Sequence, residues 1–128
     1  VVDLALVKTL DAAGERHVRV ASPAAEDARR SISLVRVVRT LDGTTLLDVT
    51  IKTGRTHQIR VHLAASGHAI VGDPKYGDFA RNKAFAKASG FARMFLHARE
   101  LAFDHPADGR RITLTSPLPA DCATLLSR

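Results

Sequence analysis

Between Ser31 and Thr53 lie two runs of β-branched and apolar residues, Ser31 to Thr40 and Thr44 to Thr53, joined by Leu41-Asp42-Gly43. Asp-Gly between such runs is a strong local signal for a β-hairpin, because it supplies the positive φ of a tight turn. In the second arm Leu47, Val49 and Ile51 alternate with Asp48, Thr50 and Lys52, so the sheet is expected to bury one face. Gly54 ends the strand. Thr56 is then a plausible N-cap for a helix to about Ser66, with Gly67 as a left-handed stop. Ile59 and Leu63, four residues apart, would form its core stripe. Arg60, about 100° round from Ile59, would lie on its edge.

The flanking segments fit the same class. His17 to Ala21 alternates like a short strand, and the SPAAEDARR stretch after it reads as a loop or weak helical turn. Asp78 to Ser89 reads as a basic helix with Phe79, Phe85 and Ala86 inward, stopped by Gly90. Met94 to Phe103 fits a strand with an irregularity, followed by a turn and a returning strand at Ile112 to Thr115. A short helix closes the sequence, with Pro119 or Asp121 near its start. Hairpin connections mixed with helices predict an α+β fold: a mixed, largely antiparallel sheet with flanking helices. At 128 residues the chain has the length of one domain, and such a domain buries roughly two-thirds of its unfolded surface.

Charge bears on partners. Nineteen Lys and Arg against thirteen Asp and Glu give +6, a balance that favours polyanions through counterion release, although a solvated basic surface produces the same figure. The distribution is uneven: no acidic residue lies between Asp48 and Asp73, whereas Lys52, Arg55, His57, Arg60, His62 and His68 all do. No apolar run approaches the roughly 20 residues that span a bilayer, so no membrane partner is expected. The lone Cys122 cannot form an internal disulfide, which fits a reducing compartment and a cytoplasmic protein. The first residue is Val1, and the opening residues read like the middle of a longer chain.

Several chemistries find no support. His57 and His62 are five residues apart and miss the i, i+4 spacing of two ligands on one helical face, and no HExxH occurs. No metal site is expected. Cys122 lies in the terminal helix without a neighbouring histidine, and there is no Gly-x-Ser-x-Gly elbow, GxxxxGKT loop or GxGxxG fingerprint. What remains is the basic helix start. Gly54, Arg55, Thr56 and His57 would combine backbone N–H groups, a positive helix end and side-chain donors, which suits an anion. A surface helix whose arginines pair with nearby acids is the alternative.

The segment TGRTHQIRVHLAASGHAIVGDPKYG, Thr53 to Gly77, resembles the third motif of RluA-type RNA pseudouridine synthases and its continuation. RMFLHARELAFDHPADGRR followed by SPLP looks like the same family's downstream pattern. VDLALVKTLDAAGERHVRVA is similar to its large-subunit synthase C branch. Ala69 stands where the family usually has proline. The family's HRLDxxTSG motif, which carries the catalytic aspartate, and its base-stacking tyrosine motif do not occur here; Arg39-Thr40-Leu41-Asp42-Gly43 is RLD-like only superficially. The chain thus looks like the C-terminal part of a catalytic domain, severed from its nucleophile, inactive alone and prone to self-association.

The resemblance implies isomerisation of uridine to pseudouridine in ribosomal RNA, with no metal or organic cofactor, and with the N-terminal remainder of the enzyme as a partner. It makes Arg60 the ion-pair partner of the absent aspartate, a role suited to a permanently charged fork. Ile59 and Leu96 become candidates for the apolar wall around the uracil. Arg55, Thr56, His57 and Gln58 become contacts to RNA phosphates or braces of the active-site loop. Lys75, with Arg81, Lys83 and Lys87, would extend a phosphate track. A non-catalytic RNA-binding module and a histidine-metal hydrolase are the competing classes.

Overall fold

Alternating apolar and polar residues favour strands, and the computed structural model, which describes residues 1–10 and 12–127, pairs them antiparallel throughout. The order is β1 (Val2–Asp3), β2 (Leu6–Leu10), β3 (Arg16–Val20), β4 (Ile32–Thr40), β5 (Thr45–Ile51), α1 (Gln58–Ala65), α2 (Phe79–Ser89), β6 (Glu100–Asp104), β7 (Arg111–Thr115) and α3 (Ala120–Leu126). This is the expected α+β class. The chain divides into two compact units, Val1–Ala69 and Ile70–Arg128.

In the first unit β1, β4 and β5 form one sheet in the order β1-β4-β5, while β2 and β3 form a separate hairpin. The expected β4–β5 hairpin is present, closed by Leu41 N–H donating to Thr44 O, with Gly43 at φ 73°. Its register slips between Val37 and Arg39, a bulge that leaves Val38 without a cross-strand partner. Leu6 joins the segment after β3 by a reciprocal pair of backbone bonds with Arg29, at 2.9 and 2.8 Å. Leu6, Val18, Val61 and Leu63 are among the buried apolar side chains of this unit.

One-sided burial of β5 is not observed. Leu47 and Val49 are only half-buried and Ile51 is exposed, because β5 is an edge strand and α1 packs against β3 and β4. The helix is also rotated from expectation. It begins one residue after His57, which sits in the left-handed region at φ 52°, so Thr56 is not its N-cap. Its buried residues are Gln58, Val61 and His62, an i, i+3, i+4 row, together with Leu63, which is in the core as expected, while Ile59 is half-buried. Gly67, at φ 82°, follows the helix end as expected.

The second unit contains α2, the β6–β7 hairpin and α3. Asp78 caps α2 by accepting from the Arg81 amide at 3.0 Å, and Gly90 ends it at φ 77°. Phe85 and Ala86 are half-buried, but Phe79, expected inward, is 61% exposed at the helix's first position. The strand expected from Met94 starts only at Glu100. Before it, the Phe95 amide donates to Val71 O and His97 Nε2 donates to Ser116 O, bonds that hold the segment outside the β6–β7 ladder. Ile70, Phe91 and Cys122 are buried, with Phe91 and Phe95 in tilted contact at 5.6 Å.

Candidate functional site

The Thr53–His57 loop is held by one buried side chain. Gln58 is 3% exposed, and its amide makes four bonds. Its Oε1 accepts from Thr53 Oγ1 at 2.7 Å and from the Arg55 amide at 3.0 Å. Its Nε2 donates to Ile32 O at 2.9 Å and Ser33 Oγ at 3.0 Å. That exhausts two donors and two acceptor positions, so the amide orientation is fixed by its partners. Thr53 Oγ1 also accepts from the Ile32 amide, which ties the strand end to β4 at a second point.

The chain of bonds continues inward. Ser33 Oγ, fully buried, donates to His62 Nδ1 at 2.8 Å, and His62 Nε2 reaches Leu4 O at 2.9 Å. A carbonyl only accepts, so Nε2 carries the proton and Nδ1 accepts the serine hydroxyl. His62 is therefore a structural brace between α1, β4 and the segment before β2. A continuous relay runs from Leu4 O through His62, Ser33 and Gln58 to the Arg55 amide.

Arg55, Thr56, His57, Gln58, Ile59 and Arg60 thus form one continuous loop and helix start. Arg60 is half-buried and lies about 200° round the helix from Gln58, away from the row that docks on β4. His57 makes the turn between loop and helix, and a non-glycine residue there costs on the order of 1–2 kcal/mol of backbone strain. Strain of this kind persists where surrounding bonds over-determine the conformation, as the Gln58 bonds do here.

Gly54, Arg55 and Thr56 also edge an open cleft of about 410 Å³. Leu6 and Val18 contribute its apolar lining, and Lys8, Asp27 and Arg29 complete it. Sequence reasoning missed Lys8 and Arg29. Lys8 follows Leu6 at strand period on β2, but only the fold brings both to a loop more than 40 residues away.

Lys75 and Leu96 belong to the second unit. Lys75 sits in a loop organised by Asp73, a fully buried carboxylate whose Oδ1 accepts from the Lys75 and Tyr76 amides at 2.9 and 3.1 Å. Asn82 clasps the loop from α2, donating to Asp73 O and accepting from the Gly72 amide, both at 2.9 Å. A side chain at residue 72 would strike the Arg93 carbonyl, and one at residue 77 the Asp73 carbonyl, so glycine is required at both. Leu96 is 38% exposed in the irregular segment before β6.

Elsewhere in this unit Arg93 forks onto Asp121, Nε to Oδ2 at 2.6 Å and Nη2 to Oδ1 at 2.9 Å, and donates to Cys122 Sγ at 3.1 Å. The hydrogen bonds from Arg93 lower the Asp121 carboxyl to about 2. Burial pushes the Cys122 thiol up. Among the described residues no three His, Cys, Asp or Glu side chains gather to hold a metal ion, and no helix is long and apolar enough to cross a membrane.

Residues 3–65, which include the loop, Gln58 and Arg60, match the RNA pseudouridylate synthase family. An RNA pseudouridine synthase of Mycobacterium tuberculosis is 48% identical over 96 residues, covering 75% of this chain and 30% of that protein. Ribosomal large subunit pseudouridine synthase D of Pseudomonas aeruginosa is 42% identical over 127 residues, 93% of this chain and 40% of that one. Ribosomal large subunit pseudouridine synthase C of Haemophilus ducreyi is 36% identical over 128 residues, 100% of this chain and 38% of that one. The chain therefore spans well under half the length of these relatives. Among solved structures, human RNA Pseudouridylate Synthase Domain Containing 4 superposes with a TM-score of 0.69 at 26% identity, over 98% of this chain and 54% of that chain. Human RNA Pseudouridylate Synthase Domain Containing 1 gives 0.67 at 26% identity, over 92% and 47%. Family match, relatives and fold agree, and the chain belongs to the RNA pseudouridylate synthase family.

Proposed function

We propose that the chain is part of an enzyme that isomerises uridine to pseudouridine in large-subunit ribosomal RNA, and that it contributes one wall of the active site. The observation that carries this reading is the Gln58 clasp, which fixes the cationic Gly54–Thr56 loop at the head of the helix bearing Arg60. The reaction breaks the uridine C–N glycosidic bond, turns the base while it is held, and rejoins it through carbon. No atom is gained or lost. The target base leaves its stack to enter the site.

In this scheme Arg60 pairs with an aspartate supplied by the N-terminal remainder of the same enzyme, keeping that carboxylate ionised and oriented. Within the first unit Ile59 lines the uracil and Arg55, Thr56 and His57 meet RNA phosphates; within the second, Leu96 supplies an apolar contact and Lys75 a phosphate contact to the substrate. Gln58 acts through the loop it holds. The enzyme works in the cytoplasm, and this chain alone, whose sequence contains no HRLDxxTSG motif, is inactive.

The test is Arg60→Ala in the parent enzyme. Removing one partner of a buried ion pair costs about 3–5 kcal/mol, so ribosomal RNA modification falls by at least a hundredfold while the circular dichroism spectrum is kept. Modification at the wild-type rate would remove Arg60 from the mechanism. A parent that binds ribosomal RNA but modifies no uridine would make the protein a non-catalytic RNA-binding module.

A further inference from the structure

The cleft beside the loop carries more positive charge than the protein itself uses. Lys8, Arg29 and Arg55 line it against one carboxylate, Asp27. All four residues are exposed, and among the described residues none of the four forms an ion pair. Arg55 commits Nε to the Arg30 carbonyl at 3.1 Å, which aims the guanidinium and leaves its terminal nitrogens for a ligand. Three cations held round a cleft of about 410 Å³ repel one another, and an anion between them removes that repulsion.

The backbone at the rim points the same way. Among the described residues, the amides of Gly54 and Thr56 donate to no protein acceptor, although both residues line the cleft. Gly54 is not required by its own conformation: its φ lies outside the left-handed region, and a β-carbon there would stand in open space. Nothing inside the chain excludes a side chain at 54. Bare backbone at such a position suits close approach by a ligand, as phosphates approach glycine-bearing loops.

We propose that this cleft grips a backbone phosphate of the RNA strand, with Lys8, Arg29 and Arg55 as its cations and Gly54 leaving room for the phosphate to reach the loop amides. Because it deepens the RNA-modifying assignment above, the test must separate the two. Phosphate contacts set affinity and its salt dependence and carry no base information, so the signature is a change in salt slope. A fluorescein-labelled single-stranded RNA containing uridine is titrated with the 128-residue chain at several salt concentrations, anisotropy being the readout.

Lys8→Gln/Arg29→Gln should weaken binding and reduce the slope of log K against log salt by about 1. Gly54→Ala should weaken binding at least several-fold with an unchanged circular dichroism spectrum. Arg110→Gln/Arg111→Gln removes equal charge from the β6–β7 turn and should leave the slope unchanged. RNA binding with an unaltered slope in Lys8→Gln/Arg29→Gln overturns the cleft and leaves the RNA assignment standing. An equal loss in the Arg110/Arg111 control overturns the cleft by making the effect one of overall charge. Failure of the wild-type chain to bind RNA at all overturns the cleft, while the RNA assignment is decided separately by whether the parent enzyme modifies ribosomal RNA.

Discussion

Gln58 shows how much one side chain settles. Its amide bonds to Thr53, Arg55, Ile32 and Ser33, and Gln58→Ala leaves the Arg55 amide and two β4 groups without that partner. A buried polar group stripped of its partner costs about 1–3 kcal/mol, so the substitution should lower the denaturant midpoint by at least that equivalent. An unchanged midpoint would mean that water or a neighbour replaces the clasp. Cys122 behaves in the opposite way, as a group withdrawn from chemistry. It is fully buried and its thiol is pushed up by burial, so labelling with a maleimide at pH 7 should be far slower than for a free thiol and should recover on unfolding. The helical setting of Cys122 was legible from the sequence, whereas the environment of Gln58 was not. Gln58 stood out only as a member of the THQIR string, because its β4 partners lie 25 and 26 residues away, beyond any local pattern.

At the scale of elements, local chemistry was legible and long-range docking was not. The Asp42-Gly43 turn, the Asp78 cap and the left-handed Gly67 and Gly90 act within a few residues, and each does what its residue type requires. Thr56 was misjudged as a cap because the helix start is dictated by the clasp below it. Phe79 was misjudged as core because the first residue of a helix is seldom covered by its own next turn, and here it is 61% exposed. Alpha3 offers a test by pH. Asp121, at its N-terminal end, is lowered from 3.8 to about 2 by the Arg93 fork, so the folded state prefers the ionised form. Its contribution is complete above about pH 4 and is lost as the pH falls through 2. The Asp121 carboxyl resonance should titrate near 2 in the wild type and near the ordinary value in Arg93→Gln; a wild-type titration near 4 would contradict the fork.

At the scale of the whole molecule, apolar side chains stand exposed on two hairpins. Val37, Val38 and Ile51 are 60%, 48% and 46% exposed on β4 and β5, and Leu101 and Leu114, paired across β6 and β7, are 60% and 53% exposed. Such surface favours association. Sedimentation of the isolated chain should show a weight-average mass that rises with concentration, and a strictly monomeric boundary would contradict it. The relay from Leu4 to Arg55 has a consequence for the order of folding. It joins residues 58, 29 and 25 positions apart, and contacts that close long loops form only after the loops' ends are already held together. The β4–β5 turn can close early, whereas the cationic loop acquires its shape only when α1 has docked on β4. In a chain still folding the proposed phosphate cleft therefore has no fixed shape, and the Arg55 amide proton should exchange with solvent in step with undocking of the helix.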